Sequence, residues 1–109
     1  ADVSLDPARF REIFAADLPE SETDNLAVRQ RPVAASSLDE PSGVPAWRAI
    51  PSWYVKYTED QALAPAAQDF FADCTGARTT EIEASHVPMQ SQPKAVTEVI
   101  LSAVEALAQ

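Results

Sequence analysis

Ser52-Trp53-Tyr54-Val55-Lys56-Tyr57-Thr58-Glu59-Asp60 and, further on, Thr79-Thr80-Glu81-Ile82-Glu83-Ala84-Ser85-His86 are the two stretches whose reading decides the fold. Residues 52 to 57 are rich in aromatic and β-branched types and read as a strand, with Thr58-Glu59-Asp60 as the turn that follows it. Residues 79 to 84 alternate in character and read as a second strand. Between them Pro65 suits the first turn of a helix, and Ala67, Phe70, Phe71 and Cys74 share one helical face. Gly76 stands where a C-terminal cap is expected. From Pro93 onward, Val96, Val99, Ile100, Ala103, Val104 and Leu107 keep helical spacing. The order is strand, helix, strand, helix, which predicts two parallel strands joined by a right-handed crossover. Parallel sheets have both faces covered and usually more than two strands. The expected class is therefore α/β, with this half forming the end of a larger sheet whose other strands lie outside the 109 residues.

Upstream the chain reads as short helices and loops. Asp6 is expected to cap a helix with Pro7 in its first turn, and Phe10, Ile13 and Phe14 share a face that continues to Leu18 before Pro19 closes it. A second helix is expected to start at Ser21, with Asp24 as a weaker relative of the capping-box partner, and to run through Leu26, Ala27 and Val28. Between Arg31 and Pro51 the prolines at 32, 41, 45 and 51 alternate with Ser36, Ser37, Ser42 and Gly43, and regular structure is not expected there. That stretch reads as a connector over a surface.

Composition narrows the function classes. Eight Lys and Arg against 17 Asp and Glu give a net charge of −9, with no basic patch, which argues against binding to nucleic acid. The single Cys74 forms no internal disulfide, so a cytoplasmic setting is the default. No apolar run is long enough to span a membrane, and the acidic start lacks the pattern of a signal peptide, so a soluble chain is expected. It begins at Ala1 rather than Met, which fits a processed chain or a fragment. One His and one Cys give no metal-ligand spacing. The isolated Gly43 and Gly76 make no phosphate loop, and no cofactor is implied.

In open α/β sheets functional groups gather beyond the C-terminal ends of the strands. Asp60 and His86, the only histidine, each leave a strand at that edge, so parallel strands can bring them together. A carboxylate beside a histidine accepts the Nδ1–H bond, fixes the tautomer and stabilises the imidazolium formed when Nε2 takes a proton. Each residue also has a simpler reading: His86 as an ordinary loop histidine, Asp60 as a turn former. Ser85 is a poor nucleophile for His86, because neighbours on an extended chain point opposite ways, and it reads as a structural turn serine. Cys74, on the apolar face with Phe70 and Phe71, reads as a buried small hydrophobe.

The segments Ala46-Trp47-Arg48-Ala49-Ile50-Pro51-Ser52-Trp53-Tyr54, Thr58-Glu59-Asp60-Gln61-Ala62-Leu63-Ala64-Pro65, Ala84-Ser85-His86 and Ser91-Gln92-Pro93 resemble the C-terminal third of an α/β-hydrolase. The likeness is to the small bacterial hydrolases related to plant hydroxynitrile lyases and methyl esterases. It covers residues 46–109 well and is looser over residues 1–45, which are similar to the end of a lid, or cap, and its connector. The resemblance implies a Ser-Asp-His triad in chain order, with the acid mapping onto Asp60 and the histidine onto His86. No Gly-x-Ser-x-Gly occurs in the sequence, so the nucleophile is expected on an N-terminal part of the same hydrolase, which becomes the implied partner. This chain alone is expected to be inactive. The implied activity is hydrolysis of a small, fairly apolar ester, with Phe10, Phe14 and Val87 as candidate pocket residues, the simpler reading of such apolar residues being that they are core. A hydroxynitrile lyase using the same triad and a noncatalytic interaction module with a hydrolase-like end are the alternatives.

Overall fold

A computed structural model describes residues 1–108 of the chain; Gln109, the last residue of the stretch 46–109, lies outside the described residues. In chain order the elements are β1 (Asp2–Val3), α1 (Phe10–Phe14), α2 (Glu20–Val28), β2 (Val33–Ala34), β3 (Trp53–Tyr57), α3 (Pro65–Thr75), β4 (Arg78–Ile82), α4 (Pro88–Ser91) and α5 (Pro93–Leu107). Short 3-10 turns occupy Ala35–Leu38 and Ala46–Arg48.

The second half has the expected plan. β3 and β4 are parallel, in a register that runs from Trp53 opposite Arg78 to Tyr57 opposite Ile82. The helix between them starts with Pro65 in its first turn and stops at Gly76, whose φ of 62° is left-handed. The Ala77 N–H donates to the Ala72 carbonyl at 3.2 Å and the Gly76 N–H to the Asp73 carbonyl at 3.1 Å, which together satisfy carbonyls that the end of a helix leaves free. A Cβ added at Gly76 would meet nothing within 4 Å, so backbone conformation, not space, is what calls for glycine. Lys56, in the middle of β3, pairs with Asp69 of α3 at 2.9 Å and Glu81 of β4 at 3.3 Å, tying crossover and ladder together. The Arg78 guanidinium lies 5.2 Å from the Trp53 ring centroid.

Helical spacing located α3 and α5 but did not say what their apolar faces meet. Phe70 is 63% exposed, Phe71 and Cys74 are exposed too, and the side of α3 that packs inward buries Gln68 and Ala72 instead. Cys74 is thus a surface thiol, not a small core residue. On α5, Ile100, Leu101, Val104 and Leu107 are all exposed. Two strands offer too little sheet to cover both helices, and the apolar faces lie open to solvent.

The first half differs in its helix ends. Asp6 does not cap a helix: its side chain accepts the Ala8 N–H at 3.0 Å and its carbonyl the Arg9 N–H at 3.0 Å, making a turn ahead of α1. The helix is only five residues long. Leu18 lies beyond it, held where it buries because the Arg11 guanidinium donates to the Leu18 carbonyl at 3.2 and 3.1 Å. α2 begins at Glu20, directly after Pro19, with no side-chain cap. Ser21 is therefore inside the helix, and the expected box with Asp24 does not form. Ala15, Leu18 and Val87 make the buried apolar cluster, with Phe14 and Leu26 packed against it, so the core lies between the α1–α2 segment and the loop carrying His86.

Residues 31–51 run over the surface, but not wholly without order. Val33 and Ala34 pair antiparallel with Val3 and Asp2, and two 3-10 turns follow. No helix among the described residues is long and apolar enough to cross a membrane.

Candidate active site

The parallel ladder continues past the ends of its strands. The Thr58 N–H donates to the Ile82 carbonyl at 3.0 Å and the Glu59 N–H to the Ala84 carbonyl at 3.1 Å, so the two outgoing loops leave the sheet tied together. Asp60 and His86 emerge from those loops, and Nδ1 of His86 lies 2.8 Å from Oδ2 of Asp60.

Asp60 is completely buried, with 0% of its side chain exposed, and its two oxygens divide the work. Oδ1 accepts the N–H groups of Ala62 at 2.8 Å and Leu63 at 3.1 Å, closing the turn into α3. Oδ2 faces His86 and, more weakly, the side-chain amide of Gln68 at 3.5 Å. The turn-former reading and the imidazole-partner reading of Asp60 are thus compatible, each taking one oxygen. Both oxygens of this buried side chain therefore have hydrogen-bond partners.

Gln68 holds the frame around it. Its amide oxygen accepts the Tyr57 N–H at 2.8 Å, while its amide nitrogen donates to the carbonyls of Tyr57 at 3.0 Å and Leu63 at 2.9 Å. One side chain therefore locks the last residue of β3 to the loop that carries Asp60. The sequence reading missed it. The available signal was a polar residue four positions before Ala72, on the face of α3 turned to the strand.

The imidazole is 33% exposed. The Phe14 ring packs on it at 4.9 Å between centroids, and Tyr57 meets it edge-on at 6.1 Å. Burial, and then the negative charge of Asp60, push the Tyr57 hydroxyl above its ordinary value of 10.0, so it stays protonated at neutral pH. Among the described residues no hydrogen bond is made to Nε2 of His86, which leaves it free to exchange a proton with a group brought to it.

Phe14 connects the imidazole to a cavity of about 450 Å³, whose wall includes Leu5, Phe10, Leu26 and Gln90. Phe10 and Phe14 both line this cavity, beside Arg29 and Gln30. Val87 does not. It is buried against Ala15 and Leu18, where the chain bends at His86 ahead of α4. Val87 is a core residue, which corrects the expectation that it lines the pocket.

Ser85 is 2% exposed, and its N–H donates to Oδ2 of Asp17 at 3.1 Å while its hydroxyl donates to Oδ1. Burial works to raise the Asp17 carboxyl, but the hydroxyls of Ser85 and Ser91 and the Ser85 N–H outweigh it and hold the group below its ordinary 3.8. Asp17 was also missed, since a contact across 68 positions leaves no local trace. Among the described residues no three His, Cys, Asp or Glu side chains gather as metal ligands would.

A profile of the alpha/beta hydrolase family matches residues 2–99, nearly all of the chain. The chain belongs to the alpha/beta hydrolase family. The match takes in residues 2–45 as well as the strands, and the parallel pair β3–β4 with its helices is a portion of the α/β-hydrolase fold. Among curated proteins none matches the chain.

Proposed function

We propose that this chain carries the acid and the base of a serine α/β-hydrolase, with Asp60 orienting His86 and His86 moving the proton. The observation that carries the proposal is the 2.8 Å contact between Nδ1 of His86 and a fully buried Asp60, with Nε2 left unbonded among the described residues. No Gly-x-Ser-x-Gly occurs among the 109 residues, so the nucleophilic serine and the oxyanion donors come from an N-terminal part of the same hydrolase. In this reading residues 46–109 are the end of the catalytic core, and residues 1–45 are the end of a lid and its connector.

The reaction is acyl transfer. The serine oxygen adds to the ester carbonyl as its proton passes to Nε2 of His86, and the imidazolium gains the Asp60 carboxylate as countercharge. Nε2 then returns that proton to the departing alkoxide. A water repeats the cycle on the acyl-enzyme, releasing the acid. The cavity joins an apolar side of Leu5, Phe10, Phe14 and Leu26 to the polar side chains of Arg29, Gln30 and Gln90, which suits a small ester with an apolar acyl or alcohol group. Carboxylic ester hydrolysis is the leading reading, and cyanohydrin cleavage by the same three side chains is the second.

The test is fluorophosphonate labelling of the native protein, followed by mapping of the labelled peptide. Label is expected on a serine outside these 109 residues, with loss of both labelling and short-chain ester turnover in His86→Ala. Labelling and turnover that survive His86→Ala would remove His86 from the mechanism.

A further inference from the structure

The peptide unit that precedes Ser85 is held at both ends. Its carbonyl, that of Ala84, accepts the Glu59 N–H at 3.1 Å, from the loop that carries Asp60. Its N–H, that of Ser85, donates at 3.1 Å to Asp17, which lies between α1 and α2. The Ser85 hydroxyl donates to the other oxygen of the same carboxylate. A carboxylate that receives two donors from one residue fixes both the backbone and the side chain of that residue. His86 is the next residue, so a turn of this plane would shift the backbone from which its ring projects.

The same segment touches the imidazole directly. Phe14, three positions before Asp17, packs its ring 4.9 Å from that of His86. Asp60 holds Nδ1, but a single hydrogen bond leaves a ring free to swing about its axis. Phe14 limits that swing, and Asp17 fixes the backbone from which the ring projects.

We propose that Asp17 is a positioning residue for His86. Acting through Ser85, it holds the base in register for the nucleophile and couples the seating of the α1–α2 segment to the competence of the acid–base pair. This rests on the proposed reading of His86 as the base. Near-attack geometry is demanding, and a displacement of about 1 Å costs about a hundredfold in rate. Losing Asp17 leaves the buried Ser85 N–H and hydroxyl without their acceptor, and the peptide plane free to turn.

The test uses the intact hydrolase, including its serine-bearing part. Asp17→Ala is expected to lower kcat by about 10- to 100-fold with KM changed by less than about threefold, the split expected when an interaction serves the transition state. Asp17→Asn keeps an oxygen for the Ser85 N–H and offers its amide to the Ser85 hydroxyl, so it is expected to restore most of the lost turnover. Proton NMR should show the His86 Nδ1–H resonance sharp in the parent and in Asp17→Asn and broadened in Asp17→Ala. If Asp17→Ala does not fold, Ser85→Ala, which removes one of the two donors, and Asp17→Asn carry the comparison. Unchanged kcat in Asp17→Ala, or an Asp17→Asn as slow as Asp17→Ala, overturns the proposal while leaving the base in place. Full turnover in His86→Ala, measured alongside, would instead overturn the reading on which it rests.

Discussion

Replacing Asp60 by Asn separates the two jobs of that carboxylate with almost no change of shape. The N–H groups of Ala62 and Leu63, at 2.8 and 3.1 Å, both require an acceptor at the Oδ1 position, so the amide oxygen of Asn must sit there. Its NH₂ then occupies the place of Oδ2, 2.8 Å from Nδ1 of His86. An NH₂ only donates, so Nδ1 must be the acceptor and the ring keeps its proton on Nε2. A protonated Nε2 cannot take the proton of a serine hydroxyl. The loss expected from trapping the wrong tautomer is about 10⁴-fold in kcat, or roughly 5 kcal/mol of transition-state stabilisation. The turn survives, so stability should fall by only about 1–2 kcal/mol as charge-assisted bonds become neutral ones. Asp60→Ala, in contrast, removes the turn acceptor as well and should destabilise the protein further. The assay is steady-state hydrolysis of a short-chain nitrophenyl ester, paired with urea unfolding. A loss of less than about tenfold in a natively folded Asp60→Asn would refute the tautomer argument.

Other expectations follow from the surrounding frame. Gln68→Ala leaves the Tyr57 N–H and the Leu63 carbonyl without their bonds and should cost about 3 kcal/mol, moving the urea midpoint down by about 1 M or more; a midpoint within error of the parent would show that the amide does not lock the strand end. At Gly76 an alanine meets no atom but must adopt φ of 62°, so Gly76→Ala should cost about 1 kcal/mol and lower Tm by several degrees. An unchanged Tm there would mean that the helix end rearranges freely. Because the folded Asp17 carboxyl is held below its ordinary 3.8, its contribution is fully present above that value and is lost as pH falls through the folded value. Urea midpoints of the parent and Asp17→Asn should therefore converge on acidification, and a gap that stays constant from about pH 6 to pH 3 would contradict the depressed value.

The sequence is most legible where neighbours along the chain decide the outcome. Pro65 and Gly76 mark the ends of α3, β-branched and aromatic residues mark β3, and the strand–helix–strand order is enough to predict parallel pairing and the meeting of Asp60 with His86. It is less legible where distant groups compete. The spacing of Phe70, Phe71 and Cys74 reports an apolar face but not whether any partner covers it. Val87 is a similar case: adjacency to His86 in sequence suggested a shared pocket, while packing against Ala15 and Leu18, far away in sequence, draws it into the core. Asp6 and Ser21 have the chemistry of helix caps, yet a tight turn uses the first and Pro19 starts the second helix one residue early. Asp17 and Gln68 were missed because each is an ordinary polar residue until the fold sets it against a particular backbone group.

The hydrogen bonds from Thr58 and Glu59 to Ile82 and Ala84 make the meeting of carboxylate and imidazole a local property of one continuous stretch of backbone. The mostly exposed run from Arg31 to Pro51 can therefore vary in length without disturbing that meeting. Insertions there would leave the hydrogen bonds at the strand ends in place. The connector and the carboxylate–imidazole contact can thus evolve separately, while the α1–α2 segment stays tied to the histidine loop through Asp17, Phe14 and the cluster of Ala15, Leu18 and Val87.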